Sequence, residues 1–270
     1  MLIISKYSSL YFGKEETWQS PFDMKHFFCP RFAVGDELRI QFSSRLGFSL
    51  QAKVIDEDGV DTDVSVELLK TINEFNMCEA VFTASAEGRY TFYLYNNTGN
   101  SFSSKFQVLP LEKLKDNTVL LTYTHRRDEY DTIFKNPNGT NKMFNFRVDG
   151  GLYPGDRVLN LDNETFRDQR FDLHEISAEA YETSVLTVGL STGVPVWVGN
   201  RVNHIFNLSD IMIDSVPCVR SEKSTPELNR ISNCYPLYVF KLEVEMGDKE
   251  QFNLIYLLST FDFTFNETFF

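Results

Sequence analysis

The chain is poor in the residues and patterns that mark several classes of protein. Among its 270 residues are only four cysteines and four histidines. The cysteines form no C-x-x-C pair and the histidines lie at no metal-ligand spacing, so the sequence predicts neither a zinc site nor a redox motif. No apolar run approaches the roughly 18 residues needed to span a bilayer. We expect the cysteines to be buried free thiols: Cys29, Cys78, Cys218 and Cys234.

Basic residues are also scarce. The chain has 26 Lys and Arg residues against 38 Asp and Glu, a formal net charge of -12. It therefore lacks a basic stripe that would neutralise phosphates, and no specific binding of nucleic acid is predicted. The first residues, MLIISKYSSLYFGKEE, contain an apolar run of only four residues, with Lys6 soon after it. This run is shorter than the apolar core of a signal peptide. We expect a protein made in the cytoplasm, with no membrane partner.

Aromatic residues, in contrast, are abundant: 25 Phe and 12 Tyr. Such side chains fit half-buried pleated surfaces and the buried centres of interfaces. A period of two recurs in two stretches, Leu38, Ile40 and Phe42, and Tyr90, Phe92 and Leu94. Strands of this kind at short spacing predict an immunoglobulin-like β-sandwich over residues 30–110. Residues 1–29 are interpreted as an N-terminal arm or first strand.

Residues 111–256 predict a second β-rich domain, an assembly domain, with one packed helix. Its strand candidates include TVLLTYT, YETSVLTVGL, YPLYVFKLEVEM and FNLIYLL. Six apolar residues recur at the spacing of one face of a helix: Val194, Trp197, Val198, Val202, Ile205 and Leu208. Thr192 is available as the helix cap and Pro195 lies in the first turn. The overall fold class predicted is thus mainly β.

The stretch FRVDGGLYPGD, residues 146–156, follows a strand candidate and is rich in turn residues. It lacks the spacing of a dinucleotide-binding or phosphate-binding loop. Gly150 and Gly151 tolerate positive φ, and Pro154 followed by Gly155 has the order of a type II turn. The stretch therefore predicts a chain reversal.

One motif suggests catalysis. Gly189-Leu-Ser-Thr-Gly193 matches the G-x-S-x-G nucleophile elbow and lies between a predicted strand and a predicted helix. The only later histidine, His204, lies on that same helix, and the repeated strand–helix alternation of a hydrolase is missing. A serine hydrolase using Ser191 is thus the least favoured hypothesis. No catalytic, metal or cofactor residue is assigned, and we expect the protein not to be an enzyme.

Several blocks in the second half carry a resemblance to a known group: LLTYTHRRDEYDTIF, FNFRVDGGLYPGD, NETFRDQRFD, LTVGLSTGVPVWVGNRVNHIFNLSDIMIDSVPCVRSE and YPLYVFKLEVE. In their succession the chain resembles uncharacterised structural proteins of tail or neck type from phages and prophages of Bacteroides-type bacteria, including crAss-like phages. The resemblance covers about residues 117–246. It implies a multi-copy component of the virion whose partners are other virion proteins and copies of itself.

Two segments are candidate interaction sites. Residues 257–270 end in an aromatic pattern in which Phe261, Phe263 and Phe265 alternate with polar residues. This pattern predicts either a final core strand or an arm that docks on a neighbouring subunit by strand addition. Trp18 lies in a polar segment and is the candidate platform for the alternative function, a carbohydrate- or cell-surface-binding module. Trp197, on the helix stripe, is expected to be core.

Overall fold

The computed structural model of the protein describes residues 2–13, 28–47, 50–96, 99–103, 105–222, 224–231 and 237–247. Within these residues, nineteen strands in three sheets accompany two short helices. The mainly β fold class predicted from the sequence is confirmed.

The first eleven strands form two facing sheets. One sheet has the order β1-β4-β8-β7; the other has the order β2-β10-β9-β11-β3, with β5 paired to β9 and β6 to β5. The strands are β1 (Leu2–Ile4), β2 (Phe12–Gly13), β3 (Arg31–Ala33), β4 (Glu37–Arg45), β5 (Gln51–Asp56), β6 (Asp61–Val64), β7 (Val66–Ile72), β8 (Phe75–Thr83), β9 (Gly88–Asn96), β10 (Gly99–Ser103) and β11 (Phe106–Leu109).

These two sheets enclose one hydrophobic core, so the N-terminal part is sandwich-like. From β4 the core takes Leu38, Ile40 and Phe42, and from β9 it takes Phe92 and Leu94, all fully buried. The period of two seen in the sequence therefore identified the inward faces correctly, because successive side chains of a strand point to opposite sides.

Helix α1 (Leu111–Leu114) connects the sandwich to the third sheet. The remaining elements are β12 (Thr118–Thr124), β13 (Phe144–Arg167), β14 (Leu173–Val188), β15 (Val194–Pro195), α2 (Val196–Ile205), β16 (Asp210–Ile213), β17 (Val216–Arg220), β18 (Glu227–Arg230) and β19 (Leu237–Met246). Six of these strands pair in an antiparallel circuit, β12-β13-β14-β19-β17-β16, which closes where β16 pairs with β12. A closed circuit of strands is a small barrel, and its centre is filled by Leu121, Phe144, Phe146, Leu186 and Val244.

The predicted helix is present and packs on this barrel core through Val198, Val202 and Ile205. Its start was predicted wrongly. Pro195 occupies the N-cap position without a side-chain capping bond, and the exposed Thr192 lies before the short strand β15. Pairing of β15 with β19 fixes the entry to the helix, so tertiary contact replaces the local cap.

The predicted chain reversal at residues 146–156 is also wrong. Strand β13 runs straight through this stretch: Leu152 lies opposite Leu186, and the next pair is Arg157 with Ser184. Four residues of β13 thus lie opposite one residue of β14, which makes a β-bulge. Pro and Gly occur in strands mainly at such irregularities, so residues typical of a turn serve a bulge here.

The sandwich and the barrel meet at a buried polar contact. Arg147 of β13 donates two hydrogen bonds to Asp36, with Nε and Nη2 at 2.6 and 2.9 Å from its carboxylate oxygens. Glu79 of β8, 3% exposed, accepts from Arg39 of its own sheet and from Lys142 of the barrel side. These pairs join the two cores through satisfied charges.

Candidate assembly surface

The distal halves of β13 and β14 project from the barrel as a two-stranded ribbon. Residues 144–149 of β13 pair with β12, and residues 183–188 of β14 pair with β19. Beyond them, residues 157–167 of β13 pair only with β14, and residues 173–182 of β14 pair only with β13, within the described part of the chain. We call residues 157–182 the arm. At about 3.3 Å per residue, its eleven-residue strand measures roughly 35 Å.

One face of the arm carries four exposed aliphatic side chains, among charged residues on the same side: Arg157, Arg167, Glu175 and Glu182. Residues directly opposite each other in an antiparallel pair share a face, so alternate residues of β13 from Leu159 onward lie on one side. On that side are Leu159, Leu161, Leu173 and Ile176, with exposed fractions of 84, 54, 59 and 62%. We call this the apolar face.

The apolar face is in phase with the inside of the barrel. Leu186 and Val188 point into the core, and every second residue back along β14 keeps the same side. This alternation reaches Ile176, and a second register shift, between Glu164 and Thr165, then brings Leu173 to the same side, opposite Arg167. The opposite face carries Asn160, Asp162, Glu164 and Ser177 along its middle, and near the tip the Phe166 ring stacks on His174.

The tip of the arm is ordered by its own hydrogen bonds. Asp168 Oδ1 accepts from the backbone N–H of Arg170 at 2.8 Å and of Asp172 at 3.0 Å. Between them Phe171 adopts a left-handed backbone, φ 67°, and its side chain is 79% exposed. Non-glycine residues rarely take this conformation, at a cost of about 1–2 kcal/mol. The turn therefore presents an aromatic ring to solvent at some conformational cost.

The exposed aliphatic side chains make the arm a candidate docking element. Burying one leucine side chain is favourable by about 1.5–3 kcal/mol relative to leaving it exposed. Contiguous apolar surface on a monomer usually marks an interaction site. An isolated two-stranded ribbon is also only marginally stable in water. Contact of the apolar face with another surface would bury the exposed leucines and would also stabilise the ribbon.

The interaction residues predicted from the sequence lie elsewhere. Trp18, Phe261, Phe263 and Phe265 are all outside the described residues. The second tryptophan, Trp197, is partly buried, as its ring stacks on Tyr11 at 5.2 Å and meets Phe28 edge-on at 5.9 Å.

The arm itself was missed by the sequence analysis. The sequence analysis assigned no interaction site to NETFRDQRFD, residues 163–172. The usable signal was the alternation that places Leu159 and Leu161 before this segment and Leu173 after it. The predicted reversal at residues 146–156 hid that signal, because it placed the end of the strand before these leucines.

The candidate nucleophile is poorly placed for catalysis. Ser191 lies in an exposed turn, and helix α2 begins five residues later, whereas a nucleophile elbow leads directly into its helix. Within the described residues, no hydrogen bond joins Ser191 to a histidine. The same part of the chain contains no cluster of three or more His, Cys, Asp or Glu side chains suited to a metal ion.

The buried thiols are electrostatically unsuited to reaction. Burial raises the pKa of Cys218 to about 12 and also raises the pKa of Cys78. Because the thiolate is the reactive form, these side chains are structural. The prediction of free thiols is confirmed for Cys29, Cys78 and Cys218, of which Cys29 is only partly buried, while Cys234 lies outside the described residues.

No protein-family model matches the sequence, and no curated protein matches it. Within the described residues, no helix is both long and apolar enough to cross a membrane.

Proposed function

We propose that the protein is a structural component of a phage virion, in the tail or a neck ring, where many copies contact one another through the apolar face of the arm. The observation that carries the proposal is the projecting arm with four exposed leucine and isoleucine side chains. The resemblance of residues 117–246 to structural proteins of Bacteroides phages supports the same role.

Identical copies are a natural partner for such an arm. Each copy offers the same projecting element, so one arm can pack on its neighbour and repeat the contact around a closed ring. The predicted C-terminal strand with Phe261, Phe263 and Phe265 would add a second contact by strand addition. Neither contact needs a catalytic site.

The assembly contact is tested by the double variant Leu159→Asn/Leu161→Asn. Loss of two buried leucines at an interface costs at least about 3 kcal/mol, which weakens association by more than roughly 100-fold. We expect sedimentation velocity to show multimers for the original chain and monomers for the variant at the same concentration. The monomer's melting temperature should change little, because both side chains are exposed.

The matched control is Asp162→Asn/Glu164→Gln, on the other face of the same strand. It should assemble as the original chain does. Unchanged assembly of the leucine variant would refute the role of the apolar face. For the virion role, mass spectrometry of purified particles of the phage that encodes the chain should detect it, and its absence from the particles would overturn the proposal.

A further inference from the structure

A groove of about 560 Å³ lies on the outer side of the barrel, across strands β12, β16, β17 and β19. Tyr123, Ile211 and Cys218 belong to the barrel core, so their neighbours along the same strands point outward. These neighbours line the groove: Thr124, Asp210, Met212, Pro217 and Val219. The groove is therefore open to solvent and lies on the side of the sheet opposite to the barrel core.

The groove is lined largely by apolar side chains. Met143, Met212 and Met246 lie in it together with Val219, which is 56% exposed. Methionine side chains adapt to the shape of a guest and make favourable contacts with aromatic rings. A cavity of about 150 Å³ is enough to bind benzene, so the groove has room for an aromatic side chain and its neighbours.

Two carboxylates give the groove a negative charge. Asp210 and Glu245 line it, and within the described part of the chain its lining includes no Lys, Arg or His. Thr124, 2% exposed, also lines the groove, and its hydroxyl has no hydrogen-bond partner among the described residues. A ligand with an aromatic ring beside a cation would therefore match both the apolar lining and the charge of the groove.

The tip of the arm carries this combination of groups. Phe171 is 79% exposed, and the exposed Arg170 precedes it. Of the two acidic residues in the turn, Asp168 uses Oδ1 to accept two backbone N–H groups, and Asp172 is exposed. The turn therefore presents an aromatic ring and a guanidinium side by side to solvent.

The tip lies far from the groove of its own chain. Thr183, at the base of the arm, pairs with Glu245 of the groove. Strand β14 extends ten residues further, to Leu173, and these residues measure roughly 33 Å. An arm that enters the groove must therefore come from another copy.

We propose that the tip of one copy inserts Phe171 into the groove of a neighbouring copy, with Arg170 facing Asp210 and Glu245. The inference rests on the proposed association of copies and names the surface that receives the arm. Because the tip and the groove are different surfaces, the contact is heterologous. Repetition of such a contact produces a ring where the rotation closes and a helical stack where it does not.

The variant Phe171→Asn tests the insertion. Asparagine tolerates the left-handed backbone of this position, so the variant keeps the turn and loses the ring. Association, measured by sedimentation equilibrium, should weaken by at least about 10-fold, and the melting temperature of the monomer should not fall. The control is Tyr130→Asn, which removes an aromatic ring that is 81% exposed elsewhere on the chain and should leave association unchanged.

Charge reversal tests how the tip is oriented in the groove. Arg170→Glu and Glu245→Arg should each weaken association by roughly 5-fold, because each variant brings like charges together. The double variant Arg170→Glu/Glu245→Arg restores the attraction and should recover most of the lost affinity. If the two residues did not meet, the losses of the single variants would add instead.

Cross-linking between two populations of chains identifies the contact directly. In a Cys29→Ser/Cys234→Ser background, chains with Gln169→Cys at the tip are mixed with chains with Asn141→Cys at the groove, and a short bismaleimide is added. In the control mixture, Leu46→Cys, an exposed position of the sandwich, replaces Asn141→Cys. The tip should link to the groove at least about 10-fold faster than to the control position, since docking raises the local concentration of the two thiols.

The inference is overturned if Phe171→Asn associates as the original chain does, if the double charge variant shows additive losses, or if the groove and control positions link at the same rate. These outcomes would leave the leucine variant experiment unaffected, because that experiment tests the apolar face. Absence of the chain from virions, in turn, would overturn the virion role and leave the contact between tip and groove standing.

Discussion

The contact between the sandwich and the barrel allows the effect of substituting Glu79 on the free energy of unfolding to be predicted. This carboxylate is 3% exposed and accepts three hydrogen bonds. Arg39 Nη1 donates at 2.6 Å, Lys142 Nζ at 2.8 Å and Gln41 Nε2 at 2.8 Å. In the variant Glu79→Gln, the buried Lys142 loses its carboxylate, whereas Arg39 keeps its ion pair with Glu37.

The expected cost follows from that arrangement. Removal of one partner from a buried ion pair typically costs about 3–5 kcal/mol, because the remaining charge stays desolvated. Glu79→Gln should therefore lower the free energy of unfolding by about that amount, measured by urea denaturation. The control is Glu74→Gln, whose pair with Arg45 is more than 60% exposed on both sides and contributes at most about 1 kcal/mol.

A pH titration of stability checks the same reasoning. Burial on its own would raise the pKa of Glu79, but hydrogen bonds from Lys142 and Gln41 and the charge of Arg39 outweigh it and hold the pKa below its ordinary value. The folded state thus favours the ionised carboxylate, and the contribution is fully present above the ordinary pKa. It is lost as pH falls through the lower, folded-state pKa. The reasoning is refuted if Glu79→Gln unfolds within 1 kcal/mol of the original chain.

Two further predictions concern the backbone and the arm. Gly150→Ala should cost more than about 3 kcal/mol of unfolding free energy, since a Cβ there would collide with the backbone of Thr187, whereas Gly139→Ala, also at positive φ but in open space, should cost only about 1 kcal/mol. Equal melting temperatures for the two variants would contradict this. In limited trypsin digestion, the first cut should follow Arg170 in the exposed turn, identified by mass spectrometry; a first cut after Lys113 in the connector would show the arm to be the better protected element.

The sequence predicted strands better than it predicted where the chain turns. Alternation identified the buried faces of β4 and β9 because each strand has one side on a core. The same reasoning failed at residues 146–156, since Pro154 and Gly155 have the same local chemistry in a turn and in a bulge. A turn and a bulge are distinguished only by the pairing with β14, whose residues come about thirty positions later in the sequence. The closure of the barrel, where β16 pairs with β12, was hidden for the same reason, because those two strands are also far apart in the sequence.

Some charged residues of the chain are buried, while some of its leucines are exposed. The buried charges stabilise the monomer, and the exposed leucines are available to a partner. Asp36 and Arg147 are both less than 9% exposed and bind each other through two hydrogen bonds, so these two charges are satisfied within the monomer. Leu159, in contrast, is 84% exposed on a face that continues the inward side of the barrel. Polar side chains whose hydrogen bonds are already made gain little free energy from a new partner. An exposed leucine, in contrast, gains the full free energy of burial. The arm therefore has free energy to gain from association, and substitutions there should change assembly before they change folding.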